Sequence, residues 1–301
     1  EGDWPWGNVM TPRDLLEVST EKCTLGCPAL DALLGGGGVP CGSVTELAGE
    51  SGAGKTQLCL QLALCALLPP SRGGLSAASL YLHSEFPFPL PRLRQLSLSL
   101  PSPHPSPLDH VLVRGVYSAE ELLAVLDRLG ALLSRPLPSG PPLRLLVVDS
   151  VAALFRSDFD NNPVDLRRRS SLFFAVAAKL KEHAARFGLA VVVTNQVVDV
   201  VGPGGGPNSP PRIGNYSSLW SSGRRVSPAL GLSWANCVNT RVFLSRSEER
   251  VAGDADPEED SHGAAMAVAT MRRMQVVFAP HLPESSCEFV ITKKGVVGIP
   301  E

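Results

Sequence analysis

Apolar positions along the chain cluster in short continuous runs, separated by stretches that repeat every three to four residues. That texture predicts strands alternating with helices. "SVTEL" (43–47) reads as a strand running into Gly49, and 55–68 as the amphipathic helix behind it, stopped by Pro69 and Pro70. "ASLYLHSE" (78–85) is a second strand, and the Pro-punctuated segment 86–108 a short helix followed by an irregular loop. "HVLVRGV" (110–116) is a third strand. "SAEELLAVLDRLGALLS" (118–134) is a helix with Ser118 as cap and Glu121 three residues later. "LRLLVVDS" (143–150) and "LAVVVTNQ" (189–196) are unbroken apolar runs of the kind buried on both faces of a parallel sheet. Between them, "SSLFFAVAAKLKEHAARFG" (170–188) predicts a long helix ending at Gly188.

The two ends of the chain differ from this middle. Residues 1–22 include "WPWGN" and "TPRDLLEVSTEK" and read as a linker arm with one short helix; the domain proper is expected over 23–301. The stretch 198–225 has no periodicity, and a loop that long inside a compact domain is either functional or disordered. Downstream, "RVFLSRS", "GAAMAVATMRRMQVVFA" and "CEFVITKKGVVG" predict strands in a hairpin-like arrangement, with the acidic insert Glu248 to Asp260 as a solvated loop between them.

Composition narrows the function classes. With 301 residues, 44% of them apolar, the chain can bury the core of one large α/β domain, alone or with a small appendage. A net charge of -2 means that any contact with nucleic acid needs local basic patches or a partner. No apolar run reaches the length of a membrane-spanning helix, so no membrane association is expected. The seven cysteines, Cys23, Cys27, Cys41, Cys59, Cys65, Cys237 and Cys287, form an odd set that suits a reducing compartment. Cys23 and Cys27 lack the His or second Cys pair of a zinc site, so no metal is expected there. The chain opens at Glu1 rather than a Met, so upstream sequence and any targeting signal in it are expected to lie outside it.

One motif carries chemistry on its own. Gly49, Gly54, Lys55 and Thr56 fit G-x-x-x-x-G-K-[ST] at every specified position, with Glu50, Ser51, Gly52, Ala53 and Gln57 completing the loop. Glycines let the backbone wrap phosphates so that successive N–H groups and a helix N-terminus face the anion. Lys55 then reaches the terminal phosphates and the Thr56 hydroxyl ligates Mg²⁺, which makes ATP with Mg²⁺ the expected ligand. Kinases, transporter subunits, helicases and recombination factors all open in this way. Asp149, at the tip of a buried strand, is the candidate for the Mg²⁺ shell beside Thr56, against the alternative of a solvent-facing strand-end Asp. Glu85 is a candidate general base and, taken alone, equally a surface Glu. Asn195 and Gln196 are neutral groups suited to sensing a γ-phosphate, or to capping a turn. Basic candidates are Arg156, the triplet Arg167, Arg168 and Arg169, then Arg212, Arg224 and Arg225, in two loops that follow the strands ending at Asp149 and Gln196. Such strand ends share a face in a parallel sheet, although three Arg at a helix start also make an ordinary solvated face. "RRVS", ending at Ser227, resembles a basic-directed phosphorylation site.

The ordered set "GESGAGKT", "YLHSE", "LLVVDSVAALFRSDF" and "VVVTNQV" is similar to the RecA-like recombinase family of eukaryotes and archaea, over about residues 24–299. "LGCPALDALLGGG", "RVSPALGLSWAN" and "APHLPESSC" resemble the paralogues within it. The resemblance implies an α/β RecA-like P-loop ATPase core: a mostly parallel central sheet flanked by helices, with a C-terminal hairpin-like extension. It implies ATP and Mg²⁺ as cofactors, homologous recombination repair of DNA double-strand breaks, and a nuclear location with cytoplasmic and mitochondrial pools. The implied partners are the C-type recombinase paralogue in a heterodimer, filaments of the main eukaryotic recombinase, and single-stranded and branched DNA. Carried over by position, Lys55 and Thr56 take the phosphate and Mg²⁺ roles, Asp149 the Mg²⁺ role, Glu85 the general base and Gln196 the sensor. Arg156 and the loops at 160–169 and 199–228 would face DNA. Three departures qualify this. The family's N-terminal helical domain is missing from the chain, the second loop carries Pro, Gly and Trp where strand-exchange members are shorter, and "FPFP" follows Glu85 in place of a glycine. They point to a slow, DNA-dependent ATPase working as a mediator. The rival readings are a RecA-core motor or helicase, and a structural subunit in which ATP only stabilises an interface.

Overall fold

The computed structural model describes residues 21–85, 87–100, 103–135, 140–155, 162–200, 219–252 and 268–299. Strands β1 (Lys22–Cys23) and β2 (Val39–Pro40) pair antiparallel around helix α1 (Pro28–Leu33). Strand β3 (Ser43–Gly49) leads into helix α2 (Lys55–Cys65). Then follow β4 (Ala78–His83), α3 (Leu90–Ser99), β5 (Val111–Gly115), α4 (Ala119–Leu133) and β6 (Leu143–Asp149). The chain continues through α5 (Val151–Leu154), α6 (Pro163–Phe187), β7 (Ala190–Asn195), β8 (Val197–Asp199), β9 (Leu219–Ser221), β10 (Arg224–Pro228) and α7 (Gly231–Ala235). It closes with β11 (Thr240–Ala252), β12 (Val268–Phe278), β13 (Ser286–Thr292) and β14 (Gly295–Gly298).

One nine-stranded sheet, in the order β14-β13-β12-β11-β3-β7-β6-β4-β5, organises the domain. From β11 to β5 every neighbour is parallel; from β11 to β14 every neighbour is antiparallel. The mostly parallel sheet and its C-terminal hairpin extension therefore stand as the apolar runs predict. In β6, Leu145 and Val147 join the core under α2, while Leu146 and Val148 join the core under α4 and α6, so both faces of the strand are dry. A strand buried on both sides can have no polar alternation, which is why it reads as a continuous run. Helix α2 is buried from Leu58 to Cys65, pressed between the sheet and the β14 end of the chain. Gln61 within it donates to the Leu25 carbonyl (2.6 Å) and accepts from the Val296 amide (2.8 Å).

Several boundaries differ from expectation. α2 ends at Cys65, because the Ala66 carbonyl turns to accept the amides of Leu75 and Ala77 well before the prolines. β4 stops at His83, the last residue in register with β6, and the Ser84 amide makes the closing bond of that ladder to the Asp149 carbonyl. α6 starts at Pro163 rather than Ser170: the Asn162 side chain accepts from the amides of Val164 and Asp165, a cap that releases a polar first turn. Its C-terminus is at Gly188 (φ 60), as expected. Within the aperiodic stretch 198–225, residues 219–221 and 224–228 are strands of a small sheet, β8-β10-β9. The acidic insert begins within β11, which runs to Ala252; its part beyond 252, the arm 1–20 and the loop centre 201–218 lie outside the described residues. Among the described residues no helix is long and apolar enough to cross a membrane.

Candidate nucleotide site

The loop 49–54 leaves the carboxyl end of β3, a strand with parallel neighbours on both sides, and turns directly into α2. In an open α/β sheet that edge is where ligands bind. Two glycines are dictated by local geometry. A Cβ on Gly49 would stand 2.4 Å from the Leu244 carbonyl oxygen, and Gly54 holds φ +106 immediately before the helix. With Gly54 as its cap, α2 has no side-chain acceptor on its first amides, which stay available to an anion.

Four strand ends meet here. The Thr56 hydroxyl donates to Asp149 Oδ2 (2.8 Å), Tyr81 donates to the same oxygen (2.6 Å), and Thr194 donates to Oδ1 (2.6 Å). A hydroxyl and a carboxylate side by side are the hard oxygen donors that Mg²⁺ prefers, so Thr56 and Asp149 are chemically suited to hold it. Lys55 Nζ lies against the carbonyls of Gly49 (2.7 Å) and Glu50 (2.8 Å). Burial lowers the Lys55 pKa, and the opposing pull of Asp149 and Glu85 does not fully restore it. A buried ammonium with two neutral acceptors is thus under-compensated, and an anion in the cleft would supply the missing charge. Across the cleft Gln196 Nε2 donates to Glu85 Oε1 (2.9 Å), so the candidate sensor and candidate base are in direct contact.

Lys55, Thr56, Glu85, Asp149 and Gln196 line a cleft of about 520 Å³, together with Ser51, Gly52, Gly54 and Gln57, while Tyr81 and Thr194 stand behind Asp149. Gly49, Glu50 and Ala53 do not line it. Glu50 enters the loop only through its backbone carbonyl; its carboxylate faces the other way. Two cleft arginines escape the sequence reading. Arg92 on α3 donates to Gln57 Oε1 (2.7 Å) and to the carbonyls of Thr292 (2.7 Å) and Lys293 (2.9 Å). Arg272 on β12 donates to the Gly52 carbonyl (3.1 Å). Arg92 looks like the polar face of a helix, and Arg272 is more than two hundred residues from the loop it touches, so neither leaves a local signal. Tyr81 likewise reads as strand core.

The candidate DNA-facing residues are distributed differently from the two-loop picture. Arg167, Arg168 and Arg169 are on the first turns of α6, not in a loop. Arg168 is ion-paired with Glu120 at the start of α4, and the Arg169 guanidinium lies 5.1 Å over the Phe173 ring; Arg167 is exposed. Arg224 and Arg225 are on strand β10, where Arg225 pairs in register with Trp220. Arg224 bonds Glu50 Oε2 (3.0 Å) and Asp199 (3.1 and 3.2 Å). Arg156 and Arg212 lie outside the described residues.

Comparison with known proteins gives the chain's family. Residues 17–213 match the Rad51 family. A DNA repair protein XRCC3 homolog of Arabidopsis thaliana is 49% identical over 298 residues, covering 96% of this chain and 97% of that protein. DNA repair protein XRCC3 of Bos taurus is 37% identical over 291 residues, covering 93% of this chain and 75% of that protein. DNA repair protein RAD51 of Saccharomyces cerevisiae is 33% identical over 273 residues, 91% of this chain and 58% of that protein.

Proposed function

The chain belongs to the Rad51 family of RecA-like ATPases, and from that premise we propose that it is an ATP-binding mediator of homologous recombination repair. In this reading it works in a heteromeric complex with the C-type recombinase paralogue, supports filaments of the main recombinase, and binds single-stranded and branched DNA. Its place of work is the nucleus, and residues 23–301 are a single ATPase domain. The observation that carries the reading is the meeting of Thr56, Asp149, Glu85 and Gln196 at one end of the sheet, beside the Lys55 ammonium.

Each residue's task follows from its surroundings. The α2 N-terminus and Lys55 take the phosphates, and Arg92 and Arg272 add positive charge at the cleft walls. Bound Mg²⁺ would neutralise phosphate charge, with Thr56 and Asp149 as its holders. Tyr81 and Thr194 hold the Asp149 carboxyl group in one orientation by donating to its two oxygens. Glu85 accepts the proton of the attacking water, and the Gln196 amide holds it in place. Hydrolysis is slow and DNA-dependent. Arg167, Arg168, Arg169, Arg224 and Arg225, with Arg156 and Arg212, face the DNA backbone, and Trp220, half exposed opposite Arg225, is placed to stack on a base.

The test is ATP turnover and fluorescent-ATP binding by the purified complex, with and without single-stranded DNA, for the wild type and for Lys55→Ala and Glu85→Gln. Lys55→Ala should lose nucleotide binding. Glu85→Gln should keep it and lose turnover by roughly a hundredfold. Equal affinity in Lys55→Ala would overturn the site. Equal turnover in Glu85→Gln would remove Glu85 from the chemistry and leave ATP as a structural ligand.

A further inference from the structure

Glu50 occupies an unspecified position of the phosphate loop, where any side chain satisfies the motif and where a carboxylate repels the expected ligand. It is nonetheless buried, 8% exposed, and it is fully engaged. Ser221 donates to Glu50 Oε1 (2.7 Å), Ser222 donates to the same oxygen, and Arg224 Nη2 donates to Oε2 (3.0 Å). These three residues are the tip of the β9–β10 hairpin. Ser221 and Arg224 are register partners, and the intervening Ser222 and Gly223 hold φ 48 and φ 68. Positive φ at both central residues is the two-residue turn that suits strand twist, but Ser at the first pays a left-handed penalty that Asn or Gly would not. The Glu50 carboxylate offsets it by fixing the Ser222 hydroxyl. On the other side, the Ser222 amide bonds the Arg246 carbonyl (3.0 Å) and the Arg246 amide bonds Ser221 Oγ (3.0 Å), tying the same turn to β11.

The backbone of Glu50 looks the opposite way. Its carbonyl accepts from the Lys55 ammonium (2.8 Å), the group assigned above to the phosphates. One residue therefore touches both the phosphate-binding cation and the hairpin that carries two of the candidate DNA-facing arginines.

We propose that Glu50 is a positioning residue, the strut through which the phosphate loop holds the β9–β10 hairpin and couples nucleotide affinity to Arg224. The nucleotide half of this rests on the ATP-binding reading above; the strut itself does not. Arg224 lies outside the cleft lining, and it meets the phosphate loop at the Glu50 carboxylate, whose charge it helps to balance. A DNA phosphate that takes Arg224 leaves that carboxylate less compensated beside the phosphate loop, which is the physical content of the coupling.

A double-mutant cycle on the full-length chain tests it, with Glu50→Gln, Arg224→Gln and the pair. The first readout is amide hydrogen exchange across 219–228 without nucleotide. Each single variant should exchange about tenfold faster than wild type, and the double no faster than the worse single. Additive effects would overturn the strut. The second readout is affinity for a fluorescent ATP analogue with Mg²⁺. Arg224→Gln should weaken it several-fold in the wild-type background and leave it unmoved in the Glu50→Gln background. An equal change in both backgrounds, or none in either, would overturn the coupling. Failure of wild type to bind the analogue would instead sink the nucleotide reading, and the exchange cycle would still decide the strut.

Discussion

At the scale of single residues, Asp149 shows how a metal-binding carboxylate is prepared before any metal arrives. It accepts three hydroxyl hydrogen bonds, from Thr56, Tyr81 and Thr194, so its orientation does not depend on the cation. Tyr81 is the most informative donor because its ring is 1% exposed and lies outside the cleft lining. Removing its hydroxyl should act through Asp149 alone. Tyr81→Phe is expected to cost about 1–2 kcal/mol of stability in urea unfolding. It should also raise the Mg²⁺ concentration needed for half-maximal nucleotide binding, while Mg²⁺-free affinity stays put. Glu50 makes a second residue-level expectation, this time in pH. Burial works against its charge, but the hydroxyls of Ser222 and Ser221 and the Arg224 guanidinium outweigh it and hold its pKa below the usual glutamate value. The native state thus protonates Glu50 at lower pH than the unfolded chain does. Its stabilising contribution is whole above the ordinary carboxylate range and is lost as pH falls through the lowered native value. Wild type should be more stable than Glu50→Gln at pH 7, and the gap should close below about pH 4. A gap that is constant with pH would show that the charge of Glu50 contributes nothing.

At the scale of elements, what was legible followed burial. β3, β6 and β7 are dry on both faces, so their runs of Val and Leu announced them, and the phosphate loop was legible because all its chemistry is contiguous. The start of α6 was missed for the opposite reason. Its first turns, "PVDLRRR", expose most of their side chains, and only the Asn162–Pro163 pair marked the boundary. β8, β9 and β10 were invisible because strands of three to five residues that pair with one another need no long apolar pattern. Arg92, Arg272 and Tyr81 were missed because tertiary folding alone brings them to the loop. Helix α4 is the case in which a local signal was sufficient. Ser118 Oγ accepts from the Glu121 amide (3.1 Å) and Glu121 accepts from the Tyr117 amide (2.9 Å). Ser118→Ala should cost about 1 kcal/mol, and Ser118→Asp should recover it, because an acidic cap also favours the helix dipole. Thermal unfolding of the two variants side by side checks both signs.

At the scale of the whole molecule, the sheet has to hold three strands in register where its parallel and antiparallel halves meet, and it does so with charge in a dry interior. Arg241 on β11 pairs with Glu46 on β3, at 2% and 0% exposure, and Asn195 at the end of β7 donates to the same carboxylate (2.7 Å). The Arg241 guanidinium also lies 5.3 Å over the Phe278 ring of β12. One polar cluster therefore spans β12, β11, β3 and β7, directly beneath the phosphate loop and one residue before Gln196. A buried pair of this kind is weak evidence for net stability, since desolvating two charges can cancel their attraction, but breaking it strands an uncompensated charge. Arg241→Met should accordingly lose about 3–5 kcal/mol, and adding Glu46→Leu should restore much of that loss by removing the stranded carboxylate. The restored double variant would still leave Asn195 without its acceptor. Stability and turnover should then separate: urea unfolding near wild type, with ATP hydrolysis by the complex reduced because the β7 end no longer fixes Gln196 against Glu85. If the double variant is as unstable as Arg241→Met alone, the cluster is a structural necessity of the sheet. If it recovers full turnover along with its stability, Asn195 has no part in holding the sensor.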